Sequence, residues 1–398
     1  MDREPSGLRV AHVGRYRPAS HKGVDVAFSS MVEGLGALQV DVEVWHLTHH
    51  VADIRRTDHS WGSVFEIPSY RGRIRSVLHL PSVSRRFLEA HAETVDVLHL
   101  HSVFTPENLQ VSRLGAPFVV SPHGGYRRRV MSGSHRTLKA LWMTLLERPY
   151  LDRAGAILVN SPVEATEFAE TEVSAPVLVI PNGVSDDLLQ TEMSPPASGA
   201  VWLFLGRLDV ETKGLDLLVE GYARLVHDGR REVPDLVIAG PDHRGGRAFL
   251  NKLCRDRGIE ARVRFPGPVA GAVKRELMDS CSLFVLLSRN EGMPLSLLEA
   301  LALGRPVVVS PGTNMSHLIE EHSAGWTAGP DVGSVRRALL SASEATDDHL
   351  NRLGENARSL AHARFRWSQI IPELVSAYRD LSRERKELSG ADHNQASE

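Results

Sequence analysis

Residues 282–310 read SLFVLLSRNEGMPLSLLEALALGRPVVVS. From Ser282 to Ser288 the run is apolar and β-branched without alternation, the pattern of a strand buried on both faces. Gly292 permits a tight turn, Pro294 suits a first helical position, and an apolar helix continues to about Leu303. Gly304 fits just past its end, and Pro306 stops it before a second apolar run at 305–310. Strand, turn, helix and strand in that order make a parallel βαβ unit, and ligands of such units sit beyond the carboxyl ends of the strands. The amides of about Met293 to Ser296 are then free donors at the positive end of a helix dipole, a place suited to a diphosphate. Glu291 lies on the loop before the helix and Glu299 roughly one turn into it, where they can accept hydrogen bonds from sugar and ribose hydroxyls. Physics alone leaves equal room for two solvated glutamates, because helix N-termini commonly carry Glu.

The same pattern extends outward in both directions. Buried-strand runs are expected at 8–13, 42–47, 96–100, 117–121, 156–160 and 177–181, then at 201–206, 235–240, 262–267, 282–288 and 305–310. The spacing leaves room for crossover helices, so the fold class is α/β with parallel sheets covered by helices. The chain of 398 residues, at about 150 per domain, fits two or three domains. The Pro/Ser/Gly-rich stretch 190–200 is taken as the linker between a domain at 1–185 and another at 200–365. The apolar stripe Phe365, Trp367, Ile370, Ile371, Leu374 and Tyr378, at helical spacing, marks a helix at about 366–388 that is expected to pack back on the first domain, with 389–398 as a disordered polar tail.

Composition narrows the function. Hydrophobic residues make up 42% and charged residues 24%, with a net charge of −3, which gives no field to attract nucleic acid. No run approaches a membrane span, and the N-terminus lacks an apolar leader, so a cytoplasmic protein is expected. Cys254 and Cys281 stand far from any Cys-x-x-Cys spacing, which argues against a disulfide framework or structural zinc. No G-x-G-x-x-G follows the first strand, against a dinucleotide-dependent dehydrogenase. His99 and His101 share one face of a strand at a spacing open to a metal, but no third ligand is evident nearby. Ser161-Pro-Val-Glu164 reads as a structural capping box.

The segment EGMPLSLLEALALGRPVV (291–308), with Glu291 and Glu299 seven residues apart, closely resembles the E-x7-E signature of retaining glycosyltransferases of the GT-B fold, specifically the large GT4-like (group 1) family. FLGRLDVETKGLDLL (204–218) resembles the same family's phosphate clamp, with Arg207 just after a strand and Lys213 at a helix start. The resemblance covers nearly the whole chain and is strongest from about 179 to 327. It implies two Rossmann-like, doubly wound parallel-sheet domains facing a central cleft, the second binding a nucleotide-diphosphate sugar and the first an acceptor. It assigns catalysis to His123, Arg207, Lys213 and Glu291. It assigns donor binding to Gly23, Arg207, Lys213, Gly240, Val269, Glu291, Gly292, Met293, Pro294, Leu295 and Glu299. Lys22, His101 and Arg127 fall on the acceptor side. The family has a Gly-Gly pair where this chain has Lys22-Gly23, so the detail of that loop departs from the pattern. The resemblance further implies transfer with retention to a glycan, glycolipid or small-molecule hydroxyl, with no cofactor and no metal. The basic stretch 126–139 reads as a solvated face, or as a surface meeting an anionic acceptor or anionic lipid as a peripheral membrane contact. Two other readings stand beside this one: a non-catalytic nucleotide-sugar-binding subunit, and a nucleotide-sugar epimerase.

Overall fold

The structure is a computed structural model and describes residues 7–18, 20, 23–71, 79–126, 136–192, 200–229 and 233–395. The chain forms two compact units, residues 1–181 with 367–398, and residues 182–366. The crossing points therefore lie at 181/182 and 366/367. Of the expected linker 190–200, residues 190–192 and 200 belong to the second unit and 193–199 lie outside the described residues.

The N-terminal unit carries β1 (Arg9–Val13), β2 (Asp41–Thr48), β3 (Arg55–His59), β4 (Gly62–Pro68), β5 (Val97–His101), β6 (Phe118–Ser121), β7 (Ala156–Val159) and β8 (Val177–Val179). They form one sheet in the order β3-β4-β2-β1-β5-β6-β7-β8. All neighbours are parallel except β3, which pairs antiparallel with β4 at the edge. The edge pair β3 and β4 was not expected from the sequence. RRTDH (55–59) is polar and largely exposed, so it gives no buried-strand signal. The central strands behave as expected, with every residue of β5, β6 and β7 buried.

The last helix runs Trp367–Gln395, past the boundary expected at 388. Trp367, Ile370, Ile371, Leu374, Val375 and Tyr378 are buried in one core with Val10, Val42, Val97 and the helix Gly23–Ala37. Gly34 on that helix shows how closely the two helices approach: a Cβ there would meet Ile371 at 2.8 Å. Phe365 is part of the other core.

The C-terminal unit carries β9 (Trp202–Leu205), β10 (Leu236–Ala239), β11 (Val263–Gly267), β12 (Leu283–Leu286), β13 (Val307–Val309) and β14 (Gly325–Thr327). The order β11-β10-β9-β12-β13-β14 is wholly parallel. Strand order reverses between β9 and β12 here, and between β1 and β5 in the other unit. At such a reversal the loops leave in opposite directions and open a crevice at the carboxyl ends. Cys254 and Cys281 are buried free thiols. Among the described residues no helix is long and apolar enough to cross a membrane.

Candidate active site

In the C-terminal unit the two strands flanking the reversal deliver both motifs. β9 ends at Leu205 and leads to Gly206 and Arg207; β12 ends at Leu286 and leads to the loop 287–294. The helix Leu295–Ala302 follows, with Pro294 as its N-cap, one residue later than the sequence suggested. Its far end closes in a Schellman arrangement, Arg305 N–H donating to the Ala300 carbonyl at 2.9 Å and Gly304 N–H to that of Leu301 at 2.9 Å. Leu297 and Leu298 donate to the Pro294 carbonyl, which leaves the first-turn amides before them pointing out of the helix end.

The loop is pinned from several directions. Asn314 Nδ2 donates to the carbonyls of Glu291 (2.8 Å) and Gly292 (2.9 Å), and Asn182 Nδ2 to that of Met293 (3.0 Å). Arg289 grips both oxygens of Asp216 at 2.7 Å and donates its amide to Thr212, so this loop is tied to the one after β9. A planar fork of this kind fixes orientation as well as distance. The result is that Lys213 Nζ pairs with Glu291 Oε1, which also accepts from Ser288 Oγ at 2.7 Å. Lys213 and Glu291 are each mostly buried, at 15% side-chain exposure. A cation and an anion so placed hold each other's charge at moderate desolvation, so an anionic ligand can take over Lys213 without leaving it bare.

Arg207 is half exposed and bound to Asp209, whose carboxylate caps the short helix Val210–Lys213 through the Thr212 amide. Glu299 pairs through Oε1 with Lys274 Nζ at 2.6 Å, while its Oε2 is buried without a hydrogen-bond partner among the described residues. Two glycines are required by close approach. Gly214, at φ 63°, would put a Cβ 2.1 Å from the Leu287 carbonyl oxygen, and Gly240, at φ 147°, one 1.8 Å from that of Gly206. Gly240 thus lets the ends of β9 and β10 meet beside Arg207; its amide donates to Gly267 at 2.8 Å. Val269, just past β11, is partly buried against the core, as is Leu295, and Met293 is buried.

In the N-terminal unit Gly23 opens the helix Gly23–Ala37 and is exposed. Lys22 and Arg127 lie outside the described residues. His101 closes β5 and is buried; His123 follows β6 with a left-handed backbone at φ 50°. That turn is held by the buried Glu164, which accepts from the amides of Gly124 (2.8 Å) and Asn160 (2.9 Å). The Ser161 hydroxyl accepts from the Glu164 amide, so the expected N-cap is present, and the carboxylate is put to a second use under His123. His101 Nδ1 and His123 Nε2 are 3.0 Å apart. The third histidine that the sequence did not place is His12 on β1, whose Nδ1 is 3.0 Å from His101 Nε2. Its signal was present: a polar residue inside the apolar run LRVAHV. Burial pushes His12 down to about 3 and His123 to about 4, and holds His99 and His101 well below the usual range, so all four rings are neutral.

Residues 192–360 match the family described as glycosyl transferases group 1, and residues 21–188 match glycosyltransferase family 4. A GDP-mannose:cellobiosyl-diphosphopolyprenol alpha-mannosyltransferase of Xanthomonas oryzae pv. oryzae is 27% identical over 94% of this chain and 97% of its own. A phosphatidyl-myo-inositol mannosyltransferase of Mycolicibacterium smegmatis is 27% identical over 81% of each chain. Among solved structures, sucrose-phosphate synthase from Thermosynechococcus elongatus superposes with a TM-score of 0.73 at 18% identity, covering 94% of this chain and 99% of that one. The Anabaena protein HepE, solved with UDP and glucose, gives 0.69 at 17% identity, covering 94% and 100%. Both sheets are thus the Rossmann-like sheets of the GT-B fold.

Proposed function

Since the chain belongs to the group 1 glycosyltransferase family, we propose that it transfers a hexose from a nucleoside-diphosphate sugar to an acceptor hydroxyl with retention at the anomeric carbon. The observation that carries this is the joining of the two motifs at one strand reversal, with Lys213 held against Glu291 beside the open end of the helix Leu295–Ala302. In this reading the diphosphate lies on the first-turn amides and draws Lys213 and Arg207 to it. Charge grows on the leaving diphosphate in the transition state, so these fixed donors lower the barrier more than they tighten the ground state. Lys213 then releases Glu291, whose carboxylate accepts from the sugar hydroxyls. Glu299, with one oxygen on Lys274 and the other buried and unpartnered among the described residues, accepts from the ribose. His123 meets the sugar near the reacting carbon, and the leaving phosphate takes the acceptor's proton as the new glycosidic bond forms on the same face. The cations come from the protein, and no metal enters the reaction.

GDP-mannose is the first donor to test, because a relative aligned over 94% of this chain is named for it. The N-terminal unit supplies the acceptor side. Leu138, Leu141 and Leu145 are exposed along one helical stretch at spacings of three and four residues, an apolar stripe suited to meeting a lipid-borne acceptor at the membrane surface.

The direct test is to incubate the purified chain with GDP-mannose, UDP-glucose and related donors, and to follow nucleoside diphosphate release and the anomer of the freed sugar by proton NMR. Slow hydrolysis giving the α-sugar first supports the proposal. Release of the β-anomer overturns retention. Interconversion of sugars without release favours an epimerase.

A further inference from the structure

The N-terminal unit contains a line of imidazoles whose function is not exhausted by His123. His12, His101 and His123 stand on three neighbouring strand ends, with N···N distances of 3.0 Å at both steps. Successive rings are nearly coplanar, at 21° and 12°. Coplanar rings at that separation place each ring N–H along the line to the next ring's lone pair, which is the geometry of a hydrogen-bonded chain.

The proton count then becomes restrictive. Each neutral ring has one N–H, and each of the two contacts needs one N–H and one lone pair. Only two arrangements satisfy both: every ring protonated on Nδ1, or every ring on Nε2. His12 Nε2 decides between them, because it is buried with no hydrogen-bond partner among the described residues. Were it to carry the proton, an N–H would lie in the core without an acceptor, a situation folded proteins avoid most strictly. We infer that all three rings are Nδ1–H tautomers, so that His12, far from any ligand, sets His123 to present an N–H donor and denies it the role of general base.

His99 stands beside this line with both nitrogens engaged: its Nδ1 meets the Tyr378 hydroxyl at 2.5 Å and its Nε2 the Ser121 hydroxyl at 2.7 Å. Each hydroxyl can donate or accept, so either neutral tautomer of His99 is satisfied. It stacks on His101 at 4.0 Å and braces the line laterally. His12, His99 and His101 also have nitrogens within 4.8 Å of one another, close enough to consider a metal ion. The stacking of His99 on His101 directs their in-plane lone pairs side by side instead of toward one point, and both nitrogens of His99 are already engaged. The line therefore works as a relay of hydrogen bonds.

In the proposed reaction, on which this consequence rests, His123 donates to an oxygen of the donor sugar and removes no proton. The test is long-range proton–nitrogen NMR of the nitrogen-labelled full chain without ligand, assigned with the variants H12L, H12N, H101N and H123N. The expected result is Nδ1–H for His12, His101 and His123. In H12L, a shape-conserving change in an apolar core, the buried His101 Nε2 faces an apolar side chain, so the same rule keeps the proton of His101 on Nδ1 and His123 should stay Nδ1–H. H12N, whose amide can donate from the place of Nδ1, should likewise leave His123 as Nδ1–H. An Nε2–H tautomer at His123 in the wild type, an Nε2–H tautomer at His101 or His123 in H12L, or stoichiometric zinc whose removal uncovers new ring N–H signals would each overturn the inference. The spectra need no substrate, so a chain that fails to turn over sugar donors would defeat the proposed reaction and leave the tautomers measured.

Discussion

In the C-terminal unit the reversal of strand order lies between β9 and β12, and the groups around it are charged: Arg207, Lys213, Glu291, Lys274 and Glu299, met as ion pairs. In the N-terminal unit the reversal lies between β1 and β5, and the groups there are neutral rings in line. One topology thus prepares two kinds of site. Charges at a partly open strand end can exchange partners when an anion arrives. His12 and His101, sealed in the core, cannot ionise cheaply; they orient the half-buried His123 at the end of the line.

Several experiments would break or sharpen this contrast. The largest effect is expected where charge is exchanged. Lys213→Ala and Glu291→Ala should each lower kcat about 10²–10³-fold, the loss typical of removing one transition-state donor, with thermal unfolding little changed. Near-normal turnover in both variants would remove the ion pair from the mechanism. Gly240→Ala should cost on the order of 3 kcal/mol, because its Cβ would press on the Gly206 carbonyl at a strained φ. Denaturant unfolding of the variant reads it, and a cost below about 1 kcal/mol would mean that the strand ends yield freely.

Acid should separate the two units. His12, His99, His101 and His123 take up protons in the unfolded chain near its ordinary value of about 6.5, but in the folded chain only well below it. The unfolded state therefore binds more protons between those values. Stability is full above about pH 6.5 and falls as pH drops toward 4, by about 1.4 kcal/mol per pH unit for each such ring. Proteolysis or hydrogen exchange resolved by unit should show the N-terminal unit loosening first. Equal loosening of both units would contradict the account. The smallest effect is an expected zero: EDTA should leave transfer unchanged, and a loss restored by one divalent ion would show that the protein's own cations do not suffice.

The C-terminal site was legible because its parts lie close in sequence. Strand, turn, Glu291, helix, Glu299 and Pro306 fall within one βαβ unit, and local residue chemistry fixes each of them. What it did not reveal was the support from afar: Asn314 and Asn182 on the loop carbonyls, and Arg289 reaching Asp216 across to the other motif. The histidine line was illegible for the same reason carried further. His12, His101, His123 and Tyr378 come from three strand ends and the last helix, and only the register of β1 on β5 and of β5 on β6 brings them together. The edge strand β3 was missed because an exposed polar strand has no apolar pattern to read, and its partner β4 because Glu66 interrupts the short apolar run of Val64, Phe65 and Ile67. Lys22 and Arg127 lie outside the described residues; of the residues proposed for the N-terminal side of the reaction, His101, His123 and Gly23 are described.

The central claim is that the β9 and β12 loops form a nucleoside-diphosphate site working without metal. Calorimetric titration of the full chain, in EDTA, with GDP, UDP, ADP, CDP and dTDP tests it most directly, with Lys213→Ala run beside the wild type. The account predicts micromolar binding of one of the five and a weakening of about tenfold or more in the variant, the loss of one charge-assisted contact. A folded wild-type chain that binds none of them, or a variant that binds as tightly as wild type, would contradict it.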